Sequence, residues 1–182
     1  MRKLVITQNM TLDASIEMLD DWFDPLLQDD ELLAESHRQD SECDAMLLGR
    51  RTFEDFRGYW PNQSDDPTGI TDYLNNVAKY VVSTTMTDPQ WSNSTVIDDP
   101  VDRVRELKAG PGRDIVLTGS ISLGHTLISA GLVDEFRLFV YPTVQGRGRR
   151  LFPDGMSTSA LTLTEPARSF ASGITMMRYT AA

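Results

Sequence analysis

The feature that most constrains the fold is a short apolar run that ends at a glycine and continues as a helix. Residues 115–117 are Ile, Val and Leu, and this run predicts a buried strand. Gly119 follows it, and the spacing of apolar residues over Ser122–Ala130 predicts a helix. The first N–H groups of a helix have no partner within it and lie at its positive end, so they can bind an anion. The junction therefore predicts a phosphate site.

A second junction of the same kind lies upstream. Asp44–Leu48 is predicted as a strand, Gly49 ends it, and residues 51–57 are predicted as a short helix. Arg50 and Arg51 stand at this turn, where guanidinium groups can form charge-assisted hydrogen bonds with phosphate. Two such junctions in one chain predict a ligand with more than one phosphate group, and a dinucleotide has this property.

Predicted strands and helices alternate through the first two-thirds of the chain. Such alternation is typical of a largely parallel sheet with helices on both faces. The tail instead predicts an antiparallel hairpin from residues 160–165 and 174–180. The sequence therefore predicts an α/β fold of three layers, with a mostly parallel central sheet and an antiparallel C-terminal hairpin, in one domain over residues 1–182. The predicted strands are residues 3–9, 44–48, 79–83, 95–97, 115–117 and 135–141, and the predicted helices are residues 26–38, 51–57, 100–108 and 122–130.

Composition argues against several classes of protein. The net charge of −10 argues against nucleic acid as a partner, because a phosphate backbone requires a basic surface. No apolar run approaches the roughly 18–20 residues of a membrane span, and the N-terminus lacks the apolar core of a signal peptide. A single cysteine, Cys43, fits a reducing compartment, so we expect a cytoplasmic protein. One cysteine and two distant histidines give no zinc pattern, and no metal site is predicted.

Short motifs along nearly the whole chain carry a family resemblance. They read Met-Thr-Leu-Asp-Ala at 10–14, Leu-Leu-Gly-Arg-Arg-Thr-Phe-Glu at 47–54 and Gly-Leu-Val-Asp-Glu at 131–135, followed by Pro142 and the glycines at 146 and 148. The chain resembles the dihydrofolate reductase superfamily, and more closely the stand-alone relatives of the reductase domain of riboflavin biosynthesis. The resemblance implies a dihydrofolate reductase-like three-layer fold.

The resemblance also implies an activity and a cofactor. It implies a reductase that uses NADPH, bound across the carboxyl ends of the strands, and acts on a small heterocycle. The most familiar reaction of the family is the reduction of 5-amino-6-(5-phosphoribosylamino)uracil. In such a fold Arg50 and Arg51 would pair with the extra phosphate of NADPH. The residues that would bind the cofactor are Asn9, Met10, Gly49, Arg50, Arg51, Thr52, Ser83, Thr84, Gly119, Ser120, Ile121, Ser122 and Leu123.

Aromatic residues in two loops are candidates for the substrate pocket. Aromatic faces can stack on a planar heterocycle, although the same side chains could simply anchor the loops. A histidine in the first helix could also face the cleft and titrate near neutral pH. The candidate pocket residues are Trp22, His37, Tyr59 and Trp60.

Ile121 departs from the pattern of the relatives, which usually have a glycine at this place. A β-branched residue adopts a positive φ only at a cost, and its side chain keeps the backbone away from a ligand. We therefore expect Ile121 to weaken cofactor binding. This substitution motivates an alternative function, in which the chain is a non-catalytic or weakly cofactor-binding dimer of the same fold.

The proton donor is not predicted by the sequence. Dihydrofolate reductases hold their substrate with a carboxylate in the first helix, and Leu33 falls near that position here. Folate reduction is therefore disfavoured and remains only a second alternative. Asp13 and Glu35 are the candidate acids, and each can also be read as an ordinary solvated carboxylate.

The strand Glu135–Tyr141 predicts an apolar surface on both of its faces. Phe136 and Leu138 point to one face, and Phe139 and Tyr141 point to the other. The second face must be covered either by a helix of the same chain or by a second copy of the protein. Relatives of the riboflavin type commonly pair about a two-fold axis, so we expect a homodimer that uses this strand.

Overall fold

The computed structural model describes residues 1–157 and 160–181, so residues 158, 159 and 182 of the predicted domain lie outside the described residues. None of the helices within the described residues is long and apolar enough to cross a membrane. In chain order the elements are β1 (Leu4–Thr11), α1 (Asp30–Glu42), β2 (Cys43–Gly49), α2 (Arg50–Tyr59), a short 3-10 helix (Trp60–Asn62), α3 (Ile70–Asn76), β3 (Ala78–Val82), β4 (Ser94–Ile97), α4 (Pro100–Ala109), β5 (Asp114–Thr118), α5 (Ile121–Ser129), β6 (Glu135–Tyr141), β7 (Leu161–Leu163), β8 (Arg168–Ser169) and β9 (Thr175–Ala181).

All the strands belong to one sheet, in the order β4-β3-β2-β5-β1-β6-β9-β7, with β8 beside β9. The six strands from β4 to β6 pair in parallel. The tail strands β7 and β8 pair with β9 in antiparallel orientation, and β9 pairs with β6 in the same way. The predicted fold class, a mostly parallel sheet with an antiparallel C-terminal hairpin, is confirmed.

Helices cover both faces of this sheet. On one face, α4 and α5 pack against alternate residues of the central strands, such as Leu4 and Ile6 of β1 and Leu117 of β5. On the other face, α2 and α3 pack on β2 and β3, while the loop before α1 and α1 itself pack on β6 and β9. Because parallel strands present their carboxyl ends at one edge, the loops after β1, β2, β3 and β5 share that edge of the sheet.

The first helix begins later than the sequence predicts. The prediction placed its start at Leu26, whereas α1 begins at Asp30, because the carboxylate of Asp29 accepts a hydrogen bond from the backbone N–H of Leu32 at 3.1 Å. Leu26 and Leu27 lie in the preceding loop and are 43% and 36% exposed. The helix α3 was not predicted at all, since its seven residues are too few to give a clear apolar period.

The second apolar face of β6 is covered within the chain. β6 lies between β1 and β9, and its Phe139 and Tyr141 are buried against the tail and the loop before α1. The ring of Trp22 packs edge-on against Tyr141, with 5.1 Å between the ring centroids. These two residues therefore need no second copy of the protein to cover them. The homodimer stays a prediction, and light scattering would test it.

Candidate functional site

The two glycine junctions meet at the carboxyl edge of the sheet. They do so because β2 and β5 are neighbours, so the turns that follow them lie side by side. The backbone N–H of Gly49 donates to the hydroxyl of Ser120 at 2.9 Å. The N–H of Ser120 in turn donates to the hydroxyl of Thr52 at 3.1 Å. The structure thus brings three of the predicted cofactor residues into direct contact.

The two helices that begin at these junctions differ from α1 and α4 in their capping. α1 and α4 each begin after an aspartate, Asp29 or Asp99, whose carboxylate accepts from the first N–H groups. α2 and α5 begin without a side-chain cap from any described residue, and their first turns contain no acidic side chain. A helix N-terminus that is not neutralised by a carboxylate favours an anion. The paired starts of α2 and α5 therefore form a place suited to phosphate groups, which we call the phosphate cradle.

Backbone strain in the cradle falls on Ser120 and not on Ile121. Gly119 and Ser120 both adopt positive φ, at +56° and +53°. A Cβ atom on Gly119 would lie only 3.1 Å from Cγ2 of Thr52, so glycine suits this position for two reasons. Ile121 is the first residue of α5 and is not among the described residues with positive φ. The conformational cost expected at Ile121 is therefore not found there.

Replacing Ile121 by glycine tests this correction. The variant Ile121→Gly is expected to lose at least about 1 kcal/mol of unfolding free energy, because glycine is a poor helix former and the side chain of Ile121 packs against the core, and to bind NADPH no more tightly than the parent chain. Urea denaturation and a cofactor titration measure the two quantities. Ser122→Gly, one position along the same turn, is the control for the cost of glycine itself. A several-fold gain in NADPH affinity in Ile121→Gly alone would contradict the correction.

The two arginines of the second junction differ in whether their guanidinium groups are already paired. The guanidinium of Arg50 pairs with Glu54 at 2.9 Å and donates to the hydroxyl of Thr85 at 2.5 Å. Arg51 is exposed and forms no ion pair with a described residue. Arg51 is therefore the one available to a new anion without breaking an existing pair.

The remaining cofactor candidates take different positions around the cradle. Ser83 shapes the turn after β3, since its hydroxyl accepts from the N–H groups of residues 85 and 86, and Thr84 in that turn is exposed. Ser122 lies exposed in the first turn of α5. The side chain of Leu123 is buried in the core, and Met10 packs on the same face of the sheet. The side chain of Leu123 is therefore not exposed to a ligand in the cradle.

A cavity of about 240 Å³ lies beside the cradle, between the sheet and the elements α1, α3 and the 3-10 helix. Asn9 of β1 lines it, and so does Thr118, the residue that precedes Gly119. The cavity therefore borders the cradle directly. Its walls are mostly apolar and include Phe23, Leu32, Leu33, Phe56, Trp60 and Phe139.

Only one of the four predicted pocket residues lines the cavity. Trp60 is buried in its wall. Trp22 lies behind the wall, where its indole N–H donates to the side chain of Gln145 at 2.8 Å. His37 is exposed, with its ring Nε2 2.6 Å from the carbonyl oxygen of Thr68, and Tyr59 is 38% exposed at the end of α2.

Neither predicted acid is suited to donate a proton near neutral pH. Asp13 accepts from the hydroxyl of Thr11 and from the N–H groups of Gln145 and Gly146, and these hydrogen bonds lower its pKa to about 2. Burial acts to raise the pKa of Glu35, but hydrogen bonds from the side chains at 38 and 39 lower it overall. Asp13 anchors a loop, and Glu35 is a buried acceptor for two side chains of its own helix.

Three polar residues of the cavity were not predicted from the sequence. Asp40 of α1 lines it, and burial raises the pKa of this carboxyl to about 6, although His37 and Arg137 act in the opposite direction. Tyr73 of α3 lines it too, and burial raises the pKa of its hydroxyl. Arg137 of β6 lies fully buried at the same cavity. A charged residue inside the apolar run 135–141 was the one signal in the sequence that could have found this group.

Comparisons with known proteins agree with this fold. The sequence model of the RibD C-terminal domain family matches residues 2–175. YyaP of Bacillus subtilis strain 168, an uncharacterized protein, is 32% identical over 180 residues, which cover 98% of this chain and 94% of YyaP. A Shewanella sp. PV-4 structure assigned to riboflavin biosynthesis matches at a TM-score of 0.72 and 20% identity, over 99% of both chains. The structure of a pyrimidine reductase-like protein from Corynebacterium diphtheriae matches at a TM-score of 0.68 and 17% identity. The match covers 100% of this chain and 92% of the other chain. The two structures share the fold, and the chain itself belongs to the RibD C-terminal domain family.

Proposed function

We propose that this protein is a reductase of the riboflavin-pathway type that transfers a hydride from NADPH to a small heterocycle, with 5-amino-6-(5-phosphoribosylamino)uracil as the model substrate. Family membership supports a reductase of this type, and the match to a pyrimidine reductase-like structure agrees with it. The observation that carries the proposal is the phosphate cradle, in which the starts of α2 and α5 lie side by side without acidic caps.

The cradle fits the phosphate groups of a dinucleotide. The free N–H groups at the start of α5, in residues 121 and 122, would hold the pyrophosphate, together with those at the start of α2. Arg51 would bind the extra phosphate on the adenosine ribose, because it is exposed and unpaired among the described residues. NADPH should therefore be preferred to NADH. When bound, the reduced nicotinamide supplies the hydride.

The cavity beside the cradle is the proposed substrate site. Its apolar walls suit a planar ring, and a ring bound there would lie next to the proposed cofactor site, because Thr118 lines the cavity and precedes Gly119 of the cradle. Reduction of a C=N or C=O bond adds a hydride to carbon and a proton to the heteroatom. We assign the proton to Asp40, because its carboxyl lines the cavity and its pKa of about 6 allows exchange near neutral pH.

The alternatives have less support than the reductase. The alternative of a non-catalytic or weakly cofactor-binding protein depends on strain at Ile121, and Ile121 lies in an ordinary helical turn. Folate reduction requires a carboxylate near Leu33, and Leu33 itself forms part of the cavity wall. Asp40 lies about two helical turns further along α1, so it does not fill that position.

Titration with NADPH tests the proposal. Cofactor binding should raise the nicotinamide fluorescence and stabilise the protein by about 2.7 kcal/mol at a hundredfold excess of free NADPH over Kd. NADH should give the same shift only at higher concentration. No change in fluorescence and no thermal stabilisation at millimolar NADPH would exclude the reductase.

The choice of cofactor rests on Arg51. The variant Arg51→Ala is expected to weaken NADPH binding about 10- to 150-fold, because it loses a charge-assisted contact that contributes roughly 1.5–3 kcal/mol. NADH binding should change little, since NADH lacks the extra phosphate. Isothermal titration with both cofactors measures the difference, and Arg105→Ala, on α4, is the matched control. An equal loss for NADPH and NADH would show that Arg51 does not recognise that phosphate.

A further inference from the structure

We propose that Arg137 and Tyr73 together bind a neutral carbonyl oxygen on the ring of the substrate. This inference rests on the proposed function, because it takes the cavity as the substrate site. It assigns to two residues a role in specificity, in addition to the proton that Asp40 is proposed to supply.

The first donor is a guanidinium nitrogen that has no partner. The side chain of Arg137 is 0% exposed, and two of its nitrogens are used: Nε donates to Glu135 at 2.7 Å and Nη2 donates to Glu42 at 2.6 Å. Nη1 is buried and has no hydrogen-bond partner among residues 1–157 and 160–181. Buried donors in folded proteins are nearly always paired, so an unpaired one beside a cavity indicates a ligand acceptor. Arg137 lines that cavity.

The second donor comes from a different element of the cavity wall. Tyr73 lies on α3, and its hydroxyl is also buried without a partner in the described part of the chain. Asp40 and Arg137 line the same cavity as Tyr73. The raised pKa keeps the hydroxyl protonated and able to donate. Two unpaired donors at one cavity suit one oxygen that accepts two hydrogen bonds.

The charges around these donors favour a neutral oxygen over an anion. The guanidinium of Arg137 is already paired with Glu42 and Glu135, so its positive charge is offset. Asp40 lines the same cavity and would repel a second carboxylate or a phosphate. The cavity walls are apolar and aromatic, with Trp60 and Phe139 among them. The chemical class that fits is a flat ring that carries a carbonyl group.

Three small compounds that share a six-membered nitrogen ring and differ in their oxygen group test the proposal. The probe is 2-pyridone, and it is compared with pyridine, which lacks the oxygen, and with the anion picolinate, all by ligand-observed NMR. We expect 2-pyridone to bind the wild-type protein and to bind more tightly than either of the other two. Absence of 2-pyridone binding at its solubility limit would overturn the proposal, and so would tighter binding of picolinate or of pyridine.

A conservative variant separates recognition from folding, since Arg137 also holds the buried ion pairs. Tyr73→Phe removes only an unpaired hydroxyl, so its unfolding midpoint should be equal to or above that of the wild type. It should weaken 2-pyridone binding at least about fivefold, the loss of one hydrogen bond. Tyr179→Phe, whose hydroxyl contacts Met177 outside the cavity, is the matched control and should bind normally. Equal affinity in Tyr73→Phe and the control would overturn the proposal.

The same titrations are repeated with saturating NADPH, and cofactor binding is followed separately by fluorescence. We expect 2-pyridone to bind the NADPH-loaded protein as well. Competition between the two would overturn the assignment to substrate, because the oxygen would then belong to the cofactor. Loss of NADPH binding with intact 2-pyridone binding would count against the proposed reductase and leave the oxygen site standing.

Discussion

Replacing Glu135 by alanine is expected to lower the free energy of unfolding by about 3–5 kcal/mol, the largest effect of any single change considered for this protein. Glu135 is 1% exposed at the start of β6. Its carboxylate accepts from Nε of Arg137 at 2.7 Å and from Nε of Arg178 at 2.6 Å, and Nζ of Lys3 lies 3.1 Å away. The alanine variant would leave the buried guanidinium of Arg137 and the partly buried one of Arg178 without this partner.

Urea denaturation at neutral pH measures the loss. The control is Glu106→Ala, which removes an exposed carboxylate paired with Arg103 on α4 and should change the unfolding free energy by less than about 0.5 kcal/mol. Burial acts to raise the pKa of Glu135, but hydrogen bonds from Arg137 and Arg178 lower it overall. Its contribution is therefore complete above the ordinary pKa of 4.5 and is lost as the pH falls further. Equal losses in Glu135→Ala and the control would contradict the assigned role of the buried pairs.

Replacing Asp40 by asparagine is expected to stabilise the protein by about 1–3 kcal/mol at pH 7. Burial raises the pKa of Asp40 from its ordinary value of 3.8 to about 6, so the ionised form is disfavoured in the folded protein. The folded protein therefore binds more protons than the unfolded chain between these two values, and Asp40 lowers stability as the pH rises through this range. Asparagine keeps the size of the side chain and removes the charge.

The pH dependence distinguishes this effect from a general gain in stability. The advantage of Asp40→Asn over the wild type should be largest at pH 7 and should shrink to a fraction of that value near pH 4, where the wild-type carboxyl is neutral in the folded protein and partly neutral in the unfolded chain. Thermal unfolding across this range measures it, with the exposed loop variant Asp65→Asn as the control. An advantage that does not change with pH would contradict a raised pKa at Asp40. A stabilising substitution at a proposed proton donor is the usual trade-off between stability and activity.

The sequence was sufficient to predict those strands, turns and helix starts that depend on local chain geometry. The runs before Gly49 and Gly119 predicted two strands and the helix starts that follow them, and the structure joins these turns through Ser120. The tail hairpin was predicted for the same reason, since strand period and turn residues are local signals. The start of α1 was missed because an aspartate cap at position 29 outweighed the leucines before it.

The cavity could not be predicted because its polar groups come from distant parts of the chain. Asp40 lies on α1, Tyr73 on a helix that the apolar pattern did not reveal, and Arg137 on β6. Asp40 and Tyr73 give no signal in their own segments, and only the order of the strands and the packing of α1 and α3 bring them to one cavity with Arg137. The acids chosen from the sequence, Asp13 and Glu35, were chosen by position along the chain and are held in hydrogen bonds elsewhere.

The central claim, that the starts of α2 and α5 bind the phosphates of NADPH, is tested most directly by the NADPH dissociation constant of Ser122→Asp. Ser122 is exposed in the first turn of α5, where a carboxylate should stabilise the helix by about 0.3–1 kcal/mol yet repel a phosphate. Ser129→Asp, at the other end of the same helix, carries the same charge and is the control. The account predicts that Ser122→Asp binds NADPH at least about tenfold more weakly, with undiminished stability, and that Ser129→Asp binds it normally. Unchanged NADPH affinity in Ser122→Asp would contradict the account.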